Sequence, residues 1–261
     1  LIIQRGGYIG APVGVDPFTF VAIVGSDGND RVIDSGNIQG IVRLGGGDDI
    51  RITSSSVSTH ANSVFGAELG AGNDLLRMEG SSAPSFVYAT GGDGIDTFEF
   101  AADVAQINGS NLTGFEILSL RTGGNFTNFS GFTQVTIAPA QTNTFVNLID
   151  SDNPAADLGI AGVFMSLQNS DFRSITGTDA NEFLSISGPT SIAQGIAMGG
   201  GYGVLRWVTL VDCLPMDAPP PRRLADTSCD EIATAHTNNT DSSFMTVPST
   251  HEVHRLHTLN I

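Results

Sequence analysis

The sequence contains no lysine. All 11 basic residues are arginine, and they face 27 aspartates and glutamates for a formal charge of −16. That balance excludes a basic face for nucleic acid or anionic lipid and makes cations the expected partners. No cysteine occurs before Cys213, and Cys229 is the only other one, so no disulfide framework holds the preceding residues or identifies their redox compartment. No apolar run approaches the roughly 20 residues a helix needs to cross a bilayer, which predicts a soluble chain without membrane insertion. Helical periodicity is missing as well: Gly, Ser, Thr and Asn fill the places where a helix would carry Ala, Leu, Glu or Lys.

Glycine itself vanishes part-way along. All 32 glycines lie in residues 1–203, while 204–261 hold both cysteines, Trp207, four of the five histidines and five of the 11 prolines. Two explanations fit this break. Residues 204–261 are a linker and extension, with PPPRR from Pro219 as a polyproline spacer, or the reading frame was lost near Gly203. Both predict an irregular, poorly ordered tail. The chain opens on Leu1 with no basic or apolar leader before the repeats, and is read as a mature protein or an internal fragment.

What is present is a recurring turn. VGSDGNDRVI from Val24, LGGGDDIRI from Leu44, LGAGNDLLRM from Leu69 and GGDGIDTFEF from Gly91 each set glycines and aspartates against a short apolar strand. Their final aspartates, Asp30, Asp49, Asp74 and Asp96, are 19, 25 and 22 residues apart. Such a period allows two or three strands of about five residues per coil. The expected fold is therefore all-β, a right-handed parallel β-helix or β-roll-like solenoid. Residues 1–20 would be a cap or lead-in, 21–203 the solenoid and 204–261 the tail. NLTGFEILSL from Asn111 and FVNLIDSDN from Phe145 read as rungs without the Gly-Asp turn, and GTDANEFLSIS from Gly177 as a degenerate copy built on Asp179 and Glu182. Twenty residues beyond Glu182 lies Tyr202, so a further coil is due where the composition breaks. Phe98, Phe100, Phe115, Ile117, Leu118, Leu120, Phe126 and Phe129 are the expected large interior side chains, each contributing on the order of 2 kcal/mol when buried.

Coils of such a helix repeat about every 4.8 Å, so aspartates at one turn position form a column. At that spacing like charges repel by roughly 1 kcal/mol in water and about 3 at an effective dielectric of 20. A hard divalent cation neutralises such a column, because Ca²⁺ takes six to eight oxygens and glycine turns present bare carbonyls. The alternative is that each Asp caps its turn through backbone N–H bonds. GSDGNDRV, GAGNDLL and GGDGIDTF resemble the haemolysin-type calcium-binding nonapeptide of secreted RTX proteins. The resemblance implies that Asp30, Asp49, Asp74 and Asp96 are bidentate or bridging ligands. Asp27, Asp48 and Asp93 and the carbonyls of Gly25, Gly28, Gly45, Gly47, Gly70, Gly72, Gly91 and Gly94 would complete the shell. One motif per longer coil, in place of tandem nonapeptides, is similar to the β-helical passenger regions of autotransporters and large adhesins. That likeness spans about residues 20–203 and implies a secreted or cell-surface protein whose partners are calcium ions and a surface glycan or protein.

Catalytic signatures are sparse. There is no GxSxG elbow, and HEVHRLH from His251 has HExH where a zinc protease needs HExxH. Close acid pairs such as Asp48 and Asp49 sit in glycine turns, not on a strand face where they would flank a sugar. Arg31, Arg51, Arg77 and Arg43 are expected to line one face, one per coil, offsetting the aspartates or meeting an acidic glycan. The reading is a scaffold, not an enzyme; the alternative is the non-catalytic repeat module of a secreted hydrolase or polysaccharide lyase.

Overall fold

A computed structural model describes residues 1–4, 7–16, 19–54, 65–80, 86–102, 106–141, 144–197, 203–210 and 230–237. These form an all-β solenoid in which every strand pair but one is parallel. One ten-stranded sheet runs its length: β1 (Ile2–Ile3), β4 (Arg31–Asp34), β7 (Ile50–Thr53), β9 (Leu75–Met78), β11 (Thr97–Phe100), β14 (Ile117–Leu120), β16 (Gln134–Ile137), β18 (Asn153–Ile160), β20 (Phe172–Thr176) and β22 (Ile196–Ala197). This spine is joined by two shorter sheets in succession. The leading sheet holds β3 (Val21–Val24), β6 (Gly40–Gly46), β8 (Phe65–Ala71), β10 (Phe86–Asp93) and β13 (Leu112–Thr113). The trailing sheet holds β12 (Gln106–Asn108), β15 (Gly124–Thr127), β17 (Thr144–Ile149), β19 (Val163–Gln168), β21 (Glu182–Ser187), β23 (Gly203–Leu210) and β24 (Asp230–Thr237). A small pair, β2 (Tyr8–Ile9) and β5 (Asn37–Ile38), completes the first coils.

Strand side chains alternate between interior and surface, and the parallel register stacks each interior residue on its counterpart one coil on. On the spine one buried column reads Val32, Arg51, Leu76, Phe98, Leu118, Val135, Leu158, Ile175 and Ile196. The leading sheet lines the interior with small groups, Val42, Ala67, Ala89 and Leu112 in register. Where it hands over to the trailing sheet, phenylalanines fill the interior. Phe98 packs edge-on to Phe115 at 5.8 Å, Phe100 to Phe126 at 5.5 Å, and Phe126 to Phe129 at 5.8 Å.

Seven of the eight expected core residues are buried, but Ile117 is only half-buried. It is the first residue of β14 and alternates outward while Leu118 and Leu120 point in. The arginines do not form one ladder. Arg31 and Arg43 are exposed, and Arg77 lies on the outer face beside Glu99 at 2.7 Å. Arg51, one position out of phase, is enclosed in the core. It donates from Nη1 to the Gly66 carbonyl at 2.9 Å and stands 3.8 Å from the equally buried Asp34. Burial lowers the Arg51 guanidinium to about 10 and raises the Asp34 carboxyl.

At the N-terminus, β1 and β2 pair in parallel with β4 and β5, so residues 1–20 contribute strands to the stack. At the other end β23 continues the parallel ladder in register with β21 from Gly203 to Val208, and β24 turns back antiparallel along it. The expectation of a poorly ordered 204–261 otherwise concerns residues outside those described.

Candidate functional site

The four Gly-Asp turns all connect the leading sheet to the spine, and they superpose coil on coil. Asp30, Asp49, Asp74 and Asp96 each stand immediately before a spine strand, or one residue before its pairing begins, so the register stacks them in one column. Their carboxylates are joined head to tail. The Asp30 N–H donates to Asp49 Oδ1 at 2.7 Å, the Asp49 N–H to Asp74 Oδ1 at 2.7 Å, and the Asp74 N–H to Asp96 Oδ1 at 2.8 Å. The column has a fifth member that the turn pattern does not contain. Glu116 accepts from the Asp96 N–H at 2.8 Å. NLTGFEILSL therefore carries a variant of the turn, and the 20-residue step from Asp96 to Glu116 is the sequence signal for it.

Each bond satisfies a backbone donor that the turn would otherwise bury unpaired. Asp49, Asp74 and Asp96 are almost wholly buried, and Oδ2 of each has no hydrogen-bond partner. At the head of the column Asp30 differs: its Oδ2 accepts from the Ser26 N–H at 2.7 Å and the Ser26 hydroxyl at 3.0 Å. Burial is the main force raising the carboxyls of Asp49, Asp74 and Asp96, opposed by the amide bonds and reinforced by neighbouring acids. Asp74, between two other carboxylates, is pushed up to about 6.

Asp27, Asp48 and Asp93 lie on the exposed outside of the same turns, away from the buried oxygens. Asp48 belongs to a second, outer ladder that the aspartate pattern alone conceals. The Asp48 N–H donates to Asn29 Oδ1 at 2.9 Å, the Asn73 N–H to Asp48 Oδ1 at 2.8 Å, and the Ile95 N–H to Asn73 Oδ1 at 3.0 Å. The Asn-Asp and Asp-Asp dipeptides at positions 29–30, 48–49 and 73–74 are its trace in the sequence.

The glycine carbonyls are packed along the column. A Cβ placed on Gly70 would run into the Gly45 carbonyl oxygen, and one on Gly94 into that of Gly72; both residues also have positive φ, 122° and 140°. The same contacts place the Gly70 carbonyl against Gly92 and that of Gly47 against Gly72. Gly25 and Gly91 sit close beside Oδ2 of Asp30 and Asp96, whereas Gly28 stands clear of the column. Among the described residues no group of three or more His, Cys, Asp or Glu side chains surrounds one point as a metal cluster.

Farther along, the corner between trailing sheet and spine uses the same device with neutral groups. The Phe129 N–H donates to Ser151 Oγ at 3.3 Å, the Ser151 N–H to Ser170 Oγ at 3.1 Å, and the Ser170 N–H to Thr190 Oγ1 at 3.2 Å. Glu182, expected to continue the aspartate series, lies at a different corner, between β20 and β21. There it caps its own turn, accepting from the Thr178 N–H at 2.8 Å and the Thr178 hydroxyl at 2.6 Å.

Comparison with protein-family models, curated proteins and solved structures gives no match to this chain.

Proposed function

We propose that the chain is a structural repeat region of an exported, surface-located protein, whose buried carboxylate ladder is neutralised by Ca²⁺ outside the cell. The observation that carries this reading is the row of Oδ2 atoms of Asp49, Asp74 and Asp96, buried and without hydrogen-bond partners. A buried unpaired charge is costly unless a proton or a counter-ion accompanies it. At neutral pH and millimolar calcium a hard cation bridging successive carboxylates is the apt counter-ion, because it prefers oxygen donors. Asp49, Asp74 and Asp96 would hold it, with Asp30 and Glu116 at the ends. Oδ1 of Asp49, Asp74 and Asp96 keeps the amide bonds that join successive coils.

This is a narrower set than the nonapeptide resemblance implies. Asp27, Asp48, Asp93 and the carbonyl of Gly28 stand outside it, and the packed carbonyls of the other turn glycines serve chiefly as stacking surfaces. The parallel solenoid suits the presentation of an extended surface, to a glycan or to another protein, in preference to catalysis. With external calcium at about ten times the dissociation constant, each site adds about 1.4 kcal/mol to folding, and almost nothing at submicromolar cytosolic levels. The chain would then stay loose inside the cell and stiffen after export. A calcium titration followed by circular dichroism and thermal melting tests it. The expected result is a rise in Tm that chelator reverses at pH 7.5; an identical Tm and spectrum with and without chelator would refute the metal.

A further inference from the structure

We infer that the outward face of the trailing sheet, built on Phe145, Phe164 and Phe183, binds a neutral glycan. The inference gives a ligand to the surface-presenting role proposed above and rests on that reading. Three phenylalanines occupy one outward column, paired in register as Phe145 with Phe164 and Phe164 with Phe183. The Phe145 and Phe164 rings stack with centroids 5.0 Å apart, and the Phe183 ring lies tilted against Phe164 at 6.1 Å. An outward strand position gains nothing in the core from an aromatic ring, and Phe145 remains 70% exposed.

The stack stops at a glycine. Gly124 pairs with Val146, which puts Gly123 opposite Phe145. No ring continues the stack there; the Thr144 methyl and the Phe145 carbonyl lie against Gly123, and the Phe145 ring stays exposed. Immediately beside the rings runs a column of small hydrogen-bonding groups. Asn125 pairs with Asn147, then Ser166 and Ser185 follow, and Asn147 Nδ2 donates to Asn125 Oδ1 at 2.6 Å.

Charge selects the occupant. In a chain of net charge −16, every outward residue of β15, β17, β19 and β21 is uncharged, from Asn125 to Ser187. A polyanion would be repelled by the molecule as a whole, and a cationic partner would find no outward carboxylate on these four strands. A neutral sugar matches both halves of the pattern. Its C–H face lies on the electron-rich face of a phenyl ring, and its hydroxyls meet the neighbouring amides and hydroxyls.

The test is affinity electrophoresis of the full chain through gels containing a soluble neutral β-glucan, a neutral galactomannan or polygalacturonate, comparing the native sequence with Phe145→Ala. Because Phe145 is exposed, the variant should keep its Tm, which is measured in parallel. The expected result is retardation by at least one neutral polymer, weakened about five- to tenfold in the variant, as loss of one stacking contact implies, with none by polygalacturonate. Absence of retardation by both neutral polymers, or equal retardation of native and variant chains, overturns the inference. So does Phe145-dependent self-association seen by sedimentation, which would make a second copy the occupant. Running every gel with calcium and with chelator, beside the melting curves, separates this outcome from that of the metal.

Discussion

Asp74 concentrates the chemistry of the ladder in one side chain. One carboxylate oxygen holds the Asp49 amide, the other is buried without a partner, and the carboxyl is raised to about 6. A carboxyl raised on folding binds its proton more tightly in the native state. Its stabilising contribution is therefore complete below the unfolded value of 3.8 and is lost as pH rises through about 6. The first prediction is that in chelator the Tm climbs as pH falls from about 8 to about 5, a trend that thermal melts across that range would read and that saturating calcium should flatten. Substitution separates the two jobs of this residue. Asp74→Asn keeps an acceptor for the Asp49 N–H and removes the charge, so in chelator at pH 7.5 it should be neutral or stabilising while abolishing part of the calcium response. Asp74→Ala leaves that amide buried and unpaired, and denaturant unfolding should show a loss of about 1–3 kcal/mol. Gly70 makes the complementary case. Gly70→Ala drives a methyl group into the Gly45 carbonyl at a positive φ, so a loss of more than about 2 kcal/mol is expected in the same assay.

Among the elements, β7 breaks the rule that the following spine strands obey. IRIT has the length and position of the other spine strands, yet its inward residues are Arg51 and Thr53 where β9 has Leu76 and Met78. Arg51 enters the core because register, not chemistry, assigns faces, and its charge is met by Asp34 from the preceding coil. Removing one member of such a pair strands the other. Arg51→Met should cost about 3–5 kcal/mol in denaturant unfolding, and Asp34→Asn added to it should recover most of that loss. The strands and their turns were legible because glycine, aspartate and short apolar runs recur together, but the phase of each strand depends on where its ladder begins, and one residue exchanges the two faces. The same limit placed Ile117 inside and the arginines in one row. It also hid Glu116, whose longer side chain reaches the column without an aspartate to announce it.

For the molecule as a whole, the parallel all-β winding and the stacking of Asp30, Asp49, Asp74 and Asp96 could be read from a single recurring turn. The handover between leading and trailing sheets could not, since it depends on which strands share a coil. That handover divides the corner ladder into an anionic part, Asp30 to Glu116, and a neutral part, Ser151 to Thr190. The two parts should answer differently to their surroundings. In hydrogen exchange at pH 7.5, chelator should accelerate the amides of Asp49 and Asp74 and leave those of Ser151 and Ser170 unchanged; equal acceleration throughout would disconnect the ladder from the metal. The final aspartate follows the paired column glycine by four residues in three successive coils, Gly45 to Asp49, Gly70 to Asp74 and Gly92 to Asp96, although the coils themselves differ by up to six residues. The variation in length therefore falls between one aspartate and the next column glycine, one residue of it as the irregularity between Phe86 and Tyr88 in β10. Coils of unequal length can thus be exchanged at that four-residue step, because each enters the spine in the same register.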